Sequence, residues 1–353
     1  MDRAAEPSVP PLDADARDAA AARIDQLPAP RSGSGRLRDP ACWLAATQGT
    51  CPPRPPDRPR VVVVAADHGI AAAGVSVHPA GSTHRLVTAV REGRAPLPVL
   101  TDAAGASLRV VDVGLAGDSP TDPAGRYRVR GVTGRIDRED ALTLEETERA
   151  VTIGRQLADE EVDSGADLLV PAALGVGATT PATVVVSVVT GVEPVAVVGR
   201  GSGIDDAAWM RKTTAVRDAR RRARAHRDDP LRLLTTAGGA DLAALAGFCA
   251  QAARRRTPVV LSGPVVAAAA LVAELIAPGA KGWWLLADVG PEPVEARVAE
   301  HLGLRPLLDL KVGLGDGTAA LMALPLLRMA AQLLADPVVE GGGTEGTDPR
   351  HHP

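Results

Sequence analysis

Short runs of Val and Leu, separated by Ala-rich stretches with helical spacing, set the pattern of this chain. Seven runs read as strands: 60–65, 107–113, 167–170, 194–198, 258–261, 282–286 and 307–309. Between them the spacing predicts helices over 83–92, 144–161, 181–189, 205–224, 241–255 and 265–275. Short apolar strands that alternate with helices favour a parallel α/β sheet covered on both faces. In such sheets ligands collect at the carboxyl ends of the strands. Residues 1–36 and 336–353 are polar, Pro- and Gly-rich and aperiodic, and read as poorly ordered ends.

Four predicted strand ends carry chemistry. The stretch DLLVPAALGVGATTP over 167–181 reads as a strand, a loop freed by Gly175 and Gly177, and a helix with Thr180 as N-cap and Pro181 at the first position. Orphan amides and the helix dipole at such a start favour an anion, which points to a phosphorylated small molecule. The third glycine of a dinucleotide fingerprint is missing from its place, so a nicotinamide-linked oxidoreductase is the weaker reading. The other ends are Asp67-His68-Gly69, Gly199-Arg200-Gly201-Ser202-Gly203 and Gly315-Asp316-Gly317-Thr318.

Each residue has a plain reading beside the chemical one. Lys212 suits a point-charge contact to phosphate, or a solvated helix face. Asp67 at a strand end suits capping of amides, and His68 suits packing under the loop rather than proton transfer. Asp316 before an Ala/Leu helix reads, by itself, as an N-cap carboxylate.

Composition narrows the class. The 353 residues are 45% hydrophobic and 23% charged, enough for a sizeable core, but only 2% aromatic, so packing falls to Ala, Val and Leu. A formal net charge of −4 argues against a nucleic-acid surface, and the basic run 217–227 lies on an amphipathic helix without interleaved aromatics. Cys42, Cys51 and Cys249 are too few and scattered for a disulfide framework or a metal knot, which fits a cytoplasmic location. No start resembling a signal peptide is seen. Apolar runs are broken by Glu193 and Pro194 or by Glu274 and Pro278, so no membrane span is expected.

Taken in order, Ala66-Asp67-His68-Gly69, Gly74-Val75-Ser76 with Pro79, Asp112-Val113-Gly114, GRIDREDALT at 134–143, Gly175-Val176-Gly177, Thr179-Thr180-Pro181, GRGSGIDD at 199–206 with Lys212, Gly238-Gly239 with Asp241, PLLDL and GDGT resemble the nicotinate-nucleotide:dimethylbenzimidazole phosphoribosyltransferases, the CobT family. The resemblance covers roughly 37–334. It implies a doubly wound, mostly parallel α/β sheet, Rossmann-like, over about 60–310. A smaller helical part would come from 37–59 and 317–335, within a domain of 37–335 between the two tails. It implies transfer of phosphoribose from nicotinate mononucleotide to 5,6-dimethylbenzimidazole in cobalamin lower-loop assembly, by a homodimer without cofactor or metal.

By the same resemblance Gly175, Val176, Gly177, Ala178, Thr179, Thr180, Gly201, Ser202 and Lys212 would hold the nucleotide phosphate. Asp67, His68, Ser76, His78, Pro79, Arg85, Leu174 and Leu314 would form the base pocket. Asp316, where the family carries Glu, would take the proton of the azole. The chain departs from the family pattern at Ala173, Ala178, Ser262, Gly313, Arg85 and Asp288-Val289-Gly290, as well as at Asp316. Those changes keep open a paralogue that binds nucleotide or base without turnover.

Overall fold

The computed structural model describes residues 7–28, 30, 33–117 and 125–335. Five parallel strands, β1 (Pro59–Ala66), β2 (Ser107–Gly114), β3 (Leu168–Leu174), β4 (Val259–Leu261) and β5 (Trp284–Leu286), form one sheet in the order β2-β1-β3-β4-β5. Val61 to Ala66 of β1 are at most 1% exposed, as a strand covered on both faces requires. The winding reverses between β1 and β3, so the crevice of a doubly wound sheet opens at their carboxyl ends. β1 hands over there to Asp67 and β3 to Gly175.

The chain divides into two compact units, Met1–Leu12 with Pro56–Leu326 and Asp13–Pro55 with Leu327–Pro353. The first carries the sheet. In it, Leu144–Asp163 and Ala240–Arg254 press together at two glycines. A Cβ on Gly154 would lie 1.8 Å from the Ala244 carbonyl oxygen, and one on Gly247 2.2 Å from that of Val151. With aromatic side chains scarce, the layers close by small residues instead. The second unit holds the helices Ala14–Asp25 and Arg38–Gln48, with Ala16, Ala20, Ile24, Ala41, Cys42, Ala45, Ala330 and Leu334 as its core.

Several expectations need correction. The stretch 14–25 is a helix, not a poorly ordered end: Asp13 accepts from the Ala16 amide at 2.8 Å, and Ala16, Ala20 and Ile24 recur every fourth residue on a buried stripe. The C-terminal tail lies outside the described residues. The 194–198 run is not a strand. Pro194, which lacks an N–H, opens a 3₁₀ turn over Pro194–Ala196, and Val195 is exposed. Residues 307–309 make only a fringe of β5, through the Leu307 and Leu308 amides to the Leu286 and Ala287 carbonyls, because Pro306 ahead of them cannot donate.

β3 runs on to Leu174, while Asp167 precedes it and accepts from the Asp57 and Arg58 amides. Three further helices, Pro96–Ala103, Pro230–Ala237 and Pro293–Leu302, each begin at a proline.

The basic run is tied into the fold. Arg220 pairs with Glu193, Arg222 with Asp140, and Arg227 donates to the Val189 carbonyl. Thr318–Ala335 is, against the expectation from broken apolar runs, long and apolar enough to cross a membrane. Of that span 56% is buried inside the protein, as in a core helix.

Candidate functional site

The glycine loop lies where β1 and β3 end side by side. A Cβ on Gly175 would sit 2.5 Å from the Ala66 carbonyl oxygen, so only glycine lets the two strand ends approach. Gly177 adopts φ +88°, and the turn closes by the Ala178 amide to the Gly175 carbonyl and the Thr180 amide to the Gly177 carbonyl. The helix starts at Thr179, two residues before the predicted position, with Ala178 at the cap and no side-chain cap bond. Thr180 is therefore inside the helix, and its Oγ1 is buried without a hydrogen-bond partner among the described residues. The Val176 amide is already engaged by Thr83 Oγ1 at 3.0 Å, and Thr83 in turn donates to Asp67 Oδ1 at 2.5 Å. The Gly177 amide has no acceptor among the described residues. With the Gly175 and Thr179 amides, which likewise show no acceptor among the described residues, it is an open donor of the loop.

Lys212 lies beneath this loop, fully buried. Its Nζ donates to Thr179 Oγ1 and to the Gly199 carbonyl, both at 3.0 Å, and stands 4.0 Å from Glu292 Oε2. Burial pushes the ammonium pKa down, and the charge of Glu292 only partly restores it. Glu292 Oε1 accepts the Gly201 amide at 2.7 Å, and a Cβ on Gly199 would collide with that carboxylate. The 199–203 turn is thus folded around Glu292. Arg200 instead pairs with Asp206.

Ser202 ties this turn to the opposite wall: its Oγ meets Ser76 Oγ at 3.2 Å and accepts the Val77 amide at 3.0 Å. Pro79 accepts the Ser82 hydroxyl with its carbonyl and is exposed.

Asp67 and His68 do not face the cleft. Asp67 accepts from Thr83 and, with Oδ2, from the Ala116 amide at 2.9 Å. His68 Nε2 meets Asp241 Oδ2 at 2.9 Å, both side chains buried. Burial opposes charge on the imidazole, but the adjacent Asp241 outweighs it and holds the pKa above the ordinary value. Arg85 projects from Thr83–Arg91 as an exposed side chain, and its neighbour Leu86 takes the place at the cleft.

The cleft itself has a volume of about 360 Å³. One side is Leu174, Gly175, Ala178, Thr179, Gly201 and Ser202; the mouth carries His78, Leu86 and Leu314; the floor is Gly263, Glu292, Glu295 and Asp316. A smaller hollow beside it is lined by Ser76, Val176 and Gly177. Asp316 is 8% exposed, and its Oδ2 is buried with no hydrogen-bond partner among the described residues. Burial, then the charge of Glu295, pushes its pKa well above the carboxylate range, against the opposing Val266 and Val265 amides. Burial likewise pushes Glu295 up to about 7. Leu314, at 56% exposed, stands at the rim.

Of the residues expected from sequence, Leu174, Gly175, Ala178, Thr179, Gly201, Ser202, His78, Leu314 and Asp316 meet at this cleft, with Ser76, Val176 and Gly177 adjoining it. Asp67, His68, Thr180 and Lys212 form the layer behind. Thr83, Glu292 and Glu295 were missed. Glu292 before Pro293 carried a helix-start signal, whereas Glu295, inside an amphipathic helix, reads as a surface residue. Chemically, the cleft offers backbone donors backed by an ammonium at one end and a desolvated carboxylate at the other, so it suits an anion joined to a ring bearing an N–H.

Known proteins match this arrangement. A family model described as phosphoribosyltransferase matches residues 9–339. The chain is 51% identical over 346 residues to the nicotinate-nucleotide–dimethylbenzimidazole phosphoribosyltransferase of Mycobacterium avium (strain 104), covering 98% of this chain and 99% of that one. It is 51% identical over 323 residues to the protein of the same name from Mycobacterium tuberculosis (strain ATCC 25618 / H37Rv), covering 92% and 90%. The crystal structure of CobT from Thermus thermophilus aligns with a TM-score of 0.85 at 39% identity, covering 91% of this chain and 96% of that one. With coverage this complete at both levels, the chain belongs to the phosphoribosyltransferase family of these relatives.

Proposed function

We propose that this chain moves the 5-phosphoribosyl group of nicotinate mononucleotide onto 5,6-dimethylbenzimidazole, giving nicotinate and α-ribazole 5′-phosphate in cobalamin assembly. The observation that carries the reading is the shared cleft: a buried, high-pKa carboxylate at Asp316 faces the same space as the glycine loop. The phosphate is held by the Gly177 amide and the start of helix Thr179–Thr190. Lys212 supplies positive charge from beneath, through Thr179 and the Gly199 carbonyl. Leu174, Leu314 and His78 flank the base, with Ser76 steadied by Ser202. Asp67, His68, Pro79 and Arg85 shape the walls from outside the contact layer.

In the reaction the lone pair of one azole nitrogen forms the new bond to C1′. The bond from C1′ to the nicotinate ring breaks, and its electron pair neutralises the pyridinium nitrogen, so the leaving group needs no acid. The proton of the other azole nitrogen passes to Asp316. A base held in a dry pocket is well matched to that proton.

Relatives of half identity over nearly the whole chain carry the enzyme's name, which speaks against a binder without turnover. A homodimer in the cytoplasm completes the reading, supported by the resemblance and by the free thiols of Cys42, Cys51 and Cys249. Light scattering on the purified protein tests the dimer.

The decisive assay incubates the protein with nicotinate mononucleotide and 5,6-dimethylbenzimidazole and follows both products. Asp316→Asn is expected to lower kcat by about 10²–10⁴-fold. Full turnover in that variant would remove Asp316 from the mechanism.

A further inference from the structure

The floor of the cleft holds a second carboxylate that the reaction above leaves unused. Glu295 sits on helix Pro293–Leu302 and is 4% exposed. It accepts the Gly290 amide at 3.2 Å and faces the amide of Gly263. The α-carbon of Gly263 abuts the other carboxylate: at φ +96°, a Cβ there would lie 1.8 Å from Asp316 Oδ1. One glycine therefore separates two buried acids, and its lack of a side chain lets both reach the floor. Asp316 Oδ2 remains an unpartnered buried acceptor among the described residues, on the cleft wall.

Two negative charges so placed in a dry crevice do not both persist, and the pair titrates as a unit. We propose that Glu295 and Asp316 share one proton, Glu295 being a positioning residue that sets the proton affinity of Asp316; this rests on the functional reading given above. When the azole N–H bond breaks, its proton passes to Asp316 and the pair goes from one proton to two. The electron pair of that bond stays in the ring. After product leaves, the extra proton returns to water.

The other charged groups around the pair are Glu292 and Asp288 beside Glu295, and Asp241, paired with His68, behind Asp316. Lys212, 4.0 Å from Glu292, is the nearby cation that the structure places on this side. None of these changes in the test.

The test is kcat against pH for the unmodified protein, Glu295→Gln and Glu295→Asp, with folding checked by circular dichroism. Removing the neighbouring acid lowers the pKa of Asp316. The acid limb of the E295Q profile is therefore expected to move down by about one pH unit or more, and plateau kcat to fall roughly tenfold as the base weakens. E295D is expected to lie between, and it decides the matter if E295Q does not fold. Profiles that superimpose on the unmodified one overturn the pairing. If the unmodified protein does not turn over, the functional reading fails on its own. Infrared titration of the Asp316 carboxyl, identified with Asp316→Asn, then decides: a titration unmoved in E295Q and E295D overturns the pair, and a downward shift supports it.

Discussion

The two ends of the cleft are built from opposite materials. The loop end uses main-chain amides, glycines and a lysine sunk beneath Thr179, so its binding power resides in backbone geometry. The floor end uses side-chain charges that burial disfavours, Asp316 and Glu295, and its reactivity resides in that strain on ionisation. The contrast teaches where substitution is tolerated. Ala173 and Ala178 carry no polar group, yet the loop still folds around Gly175 and Gly177, because the contacts that shape it are those of the main chain. At the floor a change of one carboxyl group alters the protonation of its neighbour.

Asp316→Asn, the largest effect, should remove the about 10²–10⁴-fold contribution to kcat while leaving KM for nicotinate mononucleotide within about twofold, since the anion grip lies at the other end. A parallel rise in that KM, measured by initial rates, would merge the two ends into one.

Lys212→Met should act in the reverse sense. It leaves the Gly199 carbonyl, Thr179 and Glu292 without their buried partner, costing about 3 kcal/mol in urea unfolding, and should raise KM for the nucleotide about tenfold or more. Unchanged KM would show that the backbone alone holds the phosphate.

Stability against pH sharpens the floor's side of the comparison. Glu295 has a folded pKa of about 7 against an ordinary 4.5, so the native state holds more protons than the unfolded chain between those values. Its contribution is fully present below about 4.5 and is lost as pH rises through about 7, on the order of 3 kcal/mol at most. Asp316 and His68, whose folded values are also raised, act in the same direction. Chemical unfolding at pH 5 and pH 8 should therefore show greater stability at the lower pH, with the difference reduced in Glu295→Gln; equal slopes in both proteins would mean that Glu295 is charged in the native state.

Arg85→Ala should have the smallest effect, less than about twofold on either KM, because this exposed side chain stands outside the cleft that Leu86 lines. A larger loss would bring Arg85 into contact with bound base.

The strands that became sheet were legible because their Val and Leu runs are buried on both faces, and the loop was legible because its glycines sit directly after such a run. The Val-rich stretch around Pro194 carries the same propensity, but the proline that opens it puts it in a turn. The helix Ala14–Asp25 hid because its stripe is mostly alanine among charges, which resembles a solvated tail. Orientation was the other limit. Asp67, His68 and Lys212 lie near the cleft along the chain, but whether a side chain points into it or under it depends on partners such as Thr83, Asp241 and Glu292, contributed by distant segments. Glu295 left no trace, since a glutamate within an amphipathic helix is usually wet.

The contact of Gly154 and Gly247 has a bearing on how such a protein can diverge. Where two helices touch main chain to main chain, their separation has no slack to be taken up by a longer or shorter side chain. Asp241 stands in the first turn of one of those helices and holds His68 under the strand ends. Preference for a bulkier or slimmer heterocycle must then be tuned from the rim, at positions such as Leu86 and Leu314, while the scaffold beneath stays at a fixed gauge.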